Sequence, residues 1–510
     1  MMDGLNNLAR IVTDRRQKVL PLLDFTTKQA ANKEMALIQF LVEGQGRSQQ
    51  QIIKALYGKT DAASKTAFRK LKSRVQQKML NHLFFLDESD PRHVLSRRYE
   101  QQCLSLYYQV STLYGEGEYY NAERLGRKAL RLAESMEFTN YAVMCGQLLR
   151  SIYADMQQPA KFRSNNKKLI VNQQNLALEE EAGKIFWELK AMIAYTVRAR
   201  RTMLEKIEAY IKQLEVLYKE AGTFTSFFYL YRTQLTREEL VGNYQEIIRL
   251  TTATAKKWEQ GKLNRVRFDK RYNNYMSVYA HLRSRQAEKG LKLAEEYAKD
   301  FHYSSNNWLY FLEIYMLLAL HAGQYGQAQE LLQTARKSLY FAKQRPAAQE
   351  RWNLYEVYLQ FIRPEASPLR IRSFNTFIQT VPTHSRDKQG YNVAVLILQF
   401  LYYLRQRDLD GVLLRLESLR KYQQRHLREA GALRSQLFFR LLAITVKSDF
   451  DPAESQRLAE PLLQRMQAAP PPGEAFSEIE IVPYENLWAL TLEILRATAA
   501  LVQEENRHLV

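Results

Sequence analysis

The alternation of apolar and polar residues near the start of the chain predicts three helices. The first is an apolar run that stops at residues 44–46, and Ser48 is placed to cap a second helix that Gly58 ends. Asp61 or Ser64 can begin a third helix. Apolar residues spaced by three and four positions form its predicted buried face, namely Phe68, Leu71, Val75, Met79 and Leu83. This part of the chain is therefore predicted to fold as a small three-helix module.

One turn pattern recurs between apolar helices over most of the remaining chain. Its five clearest copies lie at Gly117, Gly242, Gly323, Arg407 and Ser448, and the steps between them are 125, 81, 84 and 41 residues. Steps close to multiples of about 41 indicate a repeat array. Intermediate turns are then expected near residues 158, 200, 285 and 365. About nine helical hairpins account for residues 93–469 on this interpretation.

The two fullest copies of the turn share small and aromatic residues at fixed offsets. Glycine lets the chain leave one helix, the tyrosine ring packs back on that helix, and alanines let two helices approach closely. The repeat-defining residues are Gly117, Tyr119, Ala122, Ala129, Gly242, Tyr244, Gly323, Tyr325, Ala328 and Ala335. This arrangement resembles the turn and second helix of the tetratricopeptide repeat (TPR). The resemblance implies an all-α fold, a right-handed α-solenoid that binds extended peptides or partner helices on its concave face.

The repeat length differs from that of the family it resembles. A period of about 41 residues is longer than the TPR length of about 34 and typical of HEAT or armadillo repeats. The local Gly-x-Tyr-x-x-Ala pattern nevertheless favours TPR-like hairpins with lengthened helices. Ile247 and Val412 replace alanine in two further copies, and a less regular helix spacing is expected there.

Acidic residues and prolines divide the chain into four predicted parts. Residues 1–33 are expected to form a lead-in helix, and residues 34–90 form the three-helix module, which ends at an acidic stretch closed by Pro91. Residues 91–469 form the TPR-like solenoid. Residues 470–510 comprise a Pro-rich loop and a C-terminal helix that covers the last apolar face of the array.

Positive charge is concentrated in the three-helix module. The whole chain has a formal charge of +20, and residues 47–78 contribute +8 from nine basic residues and one acidic residue. The candidate contacts to a nucleic acid or an acidic partner are Lys65, Arg69, Lys70, Lys72, Arg74 and Lys78. Lys70, Arg74 and Lys78 are expected to project outward, as phosphate-contacting groups do. The alternative is a solvated helix surface.

The module also resembles a helix-turn-helix in outline. Some bacterial regulators place such a module ahead of TPR hairpins, and this resemblance implies binding of nucleic acid. The likeness is one of architecture, because the third helix is unusually long and no wing or base-reading pattern follows it.

Further basic clusters lie near the predicted hairpin turns, where they could line a groove or simply face solvent. They are 198–201, 265–271, 283–285 and 370–372. Tyr272, Tyr275 and Tyr279 could stack on bases, although their spacing also fits a stripe of core residues.

Composition favours an intracellular protein with a folded core. Hydrophobic residues make up 46% of the chain, and Cys103 and Cys145 are its only cysteines, too few for a disulfide framework. Residues 1–20 lack the apolar core of a secretory signal, and the apolar runs are too short to cross a bilayer. A cytoplasmic location without membrane association is therefore expected.

No catalytic, cofactor or metal motif is predicted from the sequence. Gly58-Lys59-Thr60 has the ending of a phosphate loop but follows a helix and lacks the preceding glycine, so it is interpreted as a helix stop. The eight histidines have no metal-binding spacing. His281 and His321 are expected to be hydrogen-bonded packing residues, and the two cysteines small apolar ones.

These observations favour a non-enzymatic adaptor that holds a protein or peptide partner on a TPR-like solenoid. The alternative is a nucleic-acid-binding transcriptional regulator that uses the basic module, and an enzyme is a third class supported only by residues 58–60. The sequence leaves open the identity of the partner, the pathway and the oligomeric state. It also leaves open whether the chain's own C-terminal segment occupies the concave face.

Overall fold

A computed structural model describes residues 2–15, 17, 20–25, 32–43, 48–87, 95–195, 197–363, 391–427, 432–473 and 480–507. Within these residues the chain is all-α and contains no strand. The predicted helix stop at 44–46, the boundary residues 88–91, the break near 365 and the basic cluster 370–372 lie outside the described residues. The chain divides into two compact units, residues 1–93, 97–129 and 148–162 in the first and residues 94–96, 130–147 and 163–510 in the second.

The first unit contains the basic three-helix module. Its helices are α2 (Lys33–Glu43), α3 (Gln49–Tyr57) and α4 (Ala62–His82), and α1 (Met2–Arg15) precedes them. Ser48 and Gln51 form a reciprocal capping box at the start of α3, and Gly58 ends that helix with a left-handed φ of 77°. Asp61 accepts the Ser64 amide at the start of α4. The predicted start and end of α3 and the predicted start of α4 are therefore confirmed.

The buried face of α4 is shorter than the sequence predicted. Phe68, Leu71 and Val75 are buried in a core with Leu37 of α2 and the isoleucines of α3. Met79 is 37% exposed and Leu83 is 57% exposed, so these two residues lie outside that core. The physical reason is length, because α4 has 21 residues whereas α2 and α3 have 11 and 9, and its last turns extend past both.

Seventeen further α-helices follow among the described residues. They are α5 (Leu95–Gly115), α6 (Tyr119–Ser135), α7 (Thr139–Asp155), α8 (Pro159–Tyr195), α9 (Val197–Ala221), α10 (Phe224–Val241), α11 (Tyr244–Glu259), α12 (Lys270–Arg283), α13 (Ala287–Tyr297), α14 (Asn306–His321), α15 (Tyr325–Lys337), α16 (Pro346–Ile362), α17 (Tyr391–Arg405), α18 (Leu409–His426), α19 (Leu433–Lys447), α20 (Pro452–Ala468) and α21 (Tyr484–Arg507).

Helices of the second unit pack mainly on their neighbours in sequence. From α9 to α21, each described helix contacts the next one, and α17 and α19 also contact the terminal helix α21. One continuous core of buried side chains extends through these helices from Phe224 to Leu495. Sequential packing of this kind is compatible with a helical solenoid. The right-handed superhelix and the count of nine hairpins stay predictions.

Several turns between helices contain a left-handed residue, which is not always glycine. Gly117, Gly242 and Gly323 have φ values of 74°, 80° and 70°. Four non-glycine residues adopt the same conformation at equivalent turns: Gln157 (54°), Arg285 (60°), Arg407 (57°) and Asp449 (50°). The helix geometry thus imposes this conformation on side chains that disfavour it.

The small residues of the repeat pattern are buried. Ala122, Ala129, Ala328 and Ala335 have no exposed surface, and Tyr244 is 1% exposed. The Tyr119 ring lies 5.9 Å from the ring of Tyr114, on the helix before its turn.

The break predicted near Arg200 lies slightly earlier in the chain. Helix α8 continues for 37 residues to Tyr195, and α9 begins at Val197, so Arg200 lies inside α9. None of the described helices combines the length and the hydropathy needed to span a bilayer.

Candidate functional site

The six basic residues predicted as contacts all lie on α4, but they occupy two sides of it. Lys65, Arg69 and Lys72 are exposed, and no carboxylate among the described residues pairs with them. Their spacing of three and four places them along one side of the helix. Lys70 and Arg74 are exposed near the other side, where Lys78 is half-buried.

Arg74 and Lys78 do not simply project into solvent, contrary to the expectation from sequence. Arg74 Nε donates to Glu34 Oε1 at 2.6 Å, and Lys78 Nζ donates to Glu34 Oε2 at 2.8 Å. Burial acts to raise the pKa of Glu34, but these two cations hold that pKa below its ordinary value. The two residues therefore join α4 to α2, and their charge is partly neutralised within the module.

One of the basic clusters at hairpin turns, 283–285, binds the chain's own C-terminal segment. We use this name for the described residues 466–473 and 480–485, which precede and begin α21. Arg283 Nη2 donates to the carbonyl oxygen of Pro472 at 2.5 Å, and Tyr244 Oη donates to the same oxygen at 3.1 Å. Arg285 donates to the carbonyl oxygens of Gln467 at 3.1 Å and Ala469 at 2.6 Å. The C-terminal segment is thus held through its backbone.

Close backbone approach accompanies these hydrogen bonds. A methyl group on Gly473 would lie 2.6 Å from the amide nitrogen of Gly242, and one on Gly242 would lie 3.0 Å from the carbonyl oxygen of Pro471. Only glycine at both positions allows the C-terminal segment to reach the turn between α10 and α11.

A buried arginine anchors the C-terminal segment on its other side. Arg434 of α19 is 2% exposed and donates to both carboxylate oxygens of Glu480 and of Glu485, at distances from 2.5 to 3.0 Å. It also donates to the carbonyl oxygen of Met466 at 2.6 Å. Burial acts to raise the pKa of Glu485, but Arg434 holds that pKa below its ordinary value.

A cavity of about 330 Å³ lies beside the C-terminal segment. Arg283, Arg285 and Arg434 contribute to its wall, together with the buried carboxylate of Glu313. Glu313 accepts two hydrogen bonds from Arg351, at 2.8 and 3.0 Å, and one from Tyr355 at 2.8 Å. Charged groups around the cavity are thus bonded to one another or to backbone, an arrangement suited to holding a chain in place.

The two histidines singled out from the sequence are packing residues, as predicted. His281 is buried, with Nδ1 2.8 Å from the carbonyl oxygen of Ser277. His321 Nε2 lies 2.9 Å from the carbonyl oxygen of Glu480, and burial lowers the pKa of both imidazoles below 6.5. Both cysteines are also buried, and desolvation raises the pKa of Cys103 to about 11.

The remaining basic cluster that the structure describes in detail, 265–271, is engaged mainly with rings and carboxylates. The Arg267 guanidinium lies 5.0 Å from the Phe138 ring and 4.8 Å from the Phe224 ring. Lys270 pairs with Asp300 at 3.1 Å, and Arg271 pairs with Asp269 at 3.1 Å. Of the two alternatives left open by the sequence, simple exposure to solvent therefore does not describe Arg267, Lys270 and Arg271.

Sequence reasoning missed the residues that anchor the C-terminal segment. Arg434 lies 46 residues from Glu480 and 51 from Glu485, and nothing in the local pattern links them. One signal was present, since two glutamates flank Pro483 in a region whose helices are rich in arginine. A Pro-rich stretch next to paired acids can indicate a segment that docks on a basic groove.

Comparison with known proteins gives no relative from which a role could be transferred: no family model, no curated protein and no solved structure matches this chain.

Proposed function

We propose that this protein is a non-enzymatic, intracellular adaptor whose TPR-like helical hairpins hold an extended segment of a protein partner. The observation that carries the proposal is the C-terminal segment itself. Arg283, Arg285 and Tyr244 donate four hydrogen bonds to its backbone carbonyls. A surface that binds one extended chain through carbonyl oxygens has the chemistry to bind another, because those contacts are independent of side-chain identity.

Proline supports the same interpretation. Residues 470–472 are three consecutive prolines, which favour an extended backbone and lose little conformational entropy on binding. The intracellular setting is supported by the cysteine content, because two cysteines in 510 residues are too few for a disulfide framework. A partner peptide of this kind would compete with the C-terminal segment for the same donors.

The test uses the Gly473→Ala variant of the full chain. The added methyl group would meet the backbone of Gly242 and displace the C-terminal segment while leaving the donors intact. The probe is a fluorescein-labelled peptide with the sequence of residues 467–473, measured by fluorescence anisotropy. We expect the variant to bind the probe at least tenfold more tightly than the wild type does, and adding Arg283→Gln and Arg285→Gln should remove the gain.

Gly115→Ala is the matched control, because a methyl group there meets no atom within 4 Å. A second control probe replaces the three prolines by alanine and should bind more weakly. Equal affinity of the probe for the wild type and Gly473→Ala would contradict the proposal.

We propose binding of nucleic acid through α4 as the second candidate function. The observation that favours it is the row of Lys65, Arg69 and Lys72, which is exposed and has no carboxylate partner in the part of the chain that the structure describes. Phosphate contacts require such accessible cations. Arg74 and Lys78 support it less, because Glu34 binds both.

Binding of labelled duplex DNA and single-stranded RNA over a salt series tests this candidate. The triple variant Lys65→Glu, Arg69→Glu, Lys72→Glu should bind nucleic acid more weakly than the wild type. The slope of log K against log salt concentration should become less steep, its magnitude decreasing by roughly three. The matched control reverses three exposed lysines of α9, Lys206, Lys212 and Lys219, and changes the net charge equally. Equal losses in the two variants would indicate a nonspecific effect of charge and would count against this candidate.

A further inference from the structure

A second cavity, of about 500 Å³, lies in the second unit away from the C-terminal segment. We call it the aromatic cleft. Its walls come from α10, the connection before α12, α12 itself and the start of α14. Nine aromatic side chains line it: Phe224, Phe227, Phe228, Tyr231, Phe268, Tyr272, Tyr275, Phe301 and Tyr310. A volume in this range and largely aromatic walls are typical of sites for small ligands.

Three arginines and one aspartate are the charged residues that line the aromatic cleft. Arg271 is paired with Asp269 at 3.1 Å. Arg267 donates to the carbonyl oxygen of Glu137 at 2.5 Å and to the hydroxyl of Thr225 at 3.1 Å. These two arginines therefore have acceptors within the protein.

Arg232 differs from the other two arginines. Its guanidinium lies 3.5 Å from the centroid of the Tyr272 ring and 5.7 Å from that of Phe228. Among the described residues, no acceptor binds this guanidinium, and no carboxylate pairs with it. The side chain is half-buried, so solvent reaches its five N–H donors only in part. A guanidinium in this state binds a planar anion strongly, because two N–H groups can donate to a carboxylate in parallel.

The charge balance indicates the class of ligand. Of the three arginines that line the cleft, Arg271 pairs with Asp269, and Arg267 donates to neutral oxygens and lies beside the Phe224 ring. Arg232 is the lining arginine that has no acceptor among the described residues. A single carboxylate matches it better than a doubly charged phosphate. Cationic ligands are disfavoured, because Arg232 and Arg267 already lie against the faces of three lining rings, Tyr272, Phe228 and Phe224.

We propose that the aromatic cleft is a binding site for an aromatic carboxylate, with Arg232 binding the carboxylate and the surrounding rings packing on the aromatic body. The carboxylate can belong to a free small molecule or to an acidic side chain beside an aromatic one in a peptide. This site does not use Arg283, Arg285 or the C-terminal segment, so the tests of this proposal and of the adaptor proposal are independent of each other.

Matched probes isolate the contribution of the carboxylate. 2-Naphthylacetate and 2-naphthylacetamide have the same ring and differ in charge, and acetate lacks the ring. Isothermal titration of the full-length protein should show 2-naphthylacetate binding about tenfold or more tightly than the amide, and acetate should not bind measurably. The capped dipeptides acetyl-Asp-Phe-amide and acetyl-Asn-Phe-amide repeat the comparison in a peptide, and the tighter of the two acidic probes identifies the source of the carboxylate.

Two variants test the assigned residues. Arg232→Gln should abolish the preference for 2-naphthylacetate over its amide, whereas Arg440→Gln, at an exposed arginine of α19, should keep it. Asn307→Trp leaves Arg232 in place and adds a bulky ring beside the exposed rim of the cleft, so it should weaken both naphthyl probes. It keeps the test decisive if Arg232→Gln does not fold.

The proposal is overturned if the wild type binds the carboxylate and the amide equally, if it binds neither at millimolar concentration, or if Arg232→Gln keeps the preference. Unchanged binding of both naphthyl probes to Asn307→Trp would place their site elsewhere and overturn it as well.

Discussion

Replacing Arg434 by methionine should open the C-terminal part of the second unit. The substitution removes five hydrogen bonds and leaves two glutamates without their cation, although their side chains are only 14% and 27% exposed. Breaking a buried ion pair from one side costs about 3–5 kcal/mol, because the remaining charge is left desolvated. Most of that cost should fall on α19, α20 and α21, which this arginine and its acceptors join.

The free-energy cost of Arg434→Met can be separated into a contribution from charge and a contribution from packing. The triple variant Arg434→Met, Glu480→Gln, Glu485→Gln removes all three charges and keeps similar side-chain volumes. It should recover all but about 1–2 kcal/mol of the loss, since an apolar or neutral replacement for a buried ion pair is often nearly neutral. The stability lost in the single variant should also be smaller at pH 5 than at pH 8, because burial raises the pKa of Glu485 once Arg434 is absent and favours its neutral form.

Hydrogen exchange followed by mass spectrometry is the appropriate assay, because helices that pack mainly on their sequence neighbours can open locally, so that a single unfolding free energy is not well defined. Peptides covering 433–447 and 484–500 should exchange roughly 100- to 1,000-fold faster or more in the single variant. Arg440→Met, at an exposed arginine of the same helix, should leave exchange unchanged. A change below about tenfold, or a triple variant that exchanges as fast as the single one, would refute the reasoning.

Three further results are expected. Because the folded chain keeps His321 neutral while the unfolded chain takes up a proton below pH 6.5, stability should fall as pH drops from 7.5 to 5.5, and His321→Gln should flatten that dependence in urea titrations. Gly117→Ala should lower the free energy of unfolding by about 1 kcal/mol, because alanine disfavours the positive φ at this position and the added methyl group contacts nothing. Gln157→Gly should raise the free energy of unfolding by a similar amount at the equivalent turn, and thermal melting measures both changes. Glu34→Gln should lower the free energy of unfolding of the three-helix module by about 1 kcal/mol at pH 7, because it removes the ion pairs with Arg74 and Lys78. The substitution should have little effect below the lowered pKa of the Glu34 carboxyl, where the wild-type side chain is also neutral. Hydrogen exchange in α2 and α4 measures both effects.

Local chemistry made the helix boundaries predictable from sequence. The capping of α3 by Ser48 and Gln51 depends on residues three positions apart, and the stop at Gly58 depends on one residue. Because such interactions are set within a single turn of chain, they can be found without knowing the fold. The all-α class followed from the same short-range patterns.

Long-range partners could not be found in this way. Glu34 lies 40 residues from Arg74, and nothing near either residue distinguishes a cation that pairs within the module from one that faces solvent. Likewise, Gln157 and Arg285 adopt a left-handed conformation that their side chains disfavour, because tertiary packing of the hairpins overrides local preference. The aromatic cleft was missed because its rings fit the spacing of an ordinary core stripe.

The hydrogen bonds of the C-terminal segment close very long loops of chain, 228 residues between Tyr244 and Pro472 and 189 between Arg283 and Pro472. A ribosome adds roughly 5–20 residues per second. Helices α10 to α13 therefore leave it about 10–45 s before the segment that covers their arginines exists. During that interval a partner peptide would meet the donors of Arg283 and Arg285 without competition, whereas a partner that arrives later must first displace the segment. Under the adaptor proposal, the order of synthesis therefore favours partners that arrive before the C-terminal segment is made.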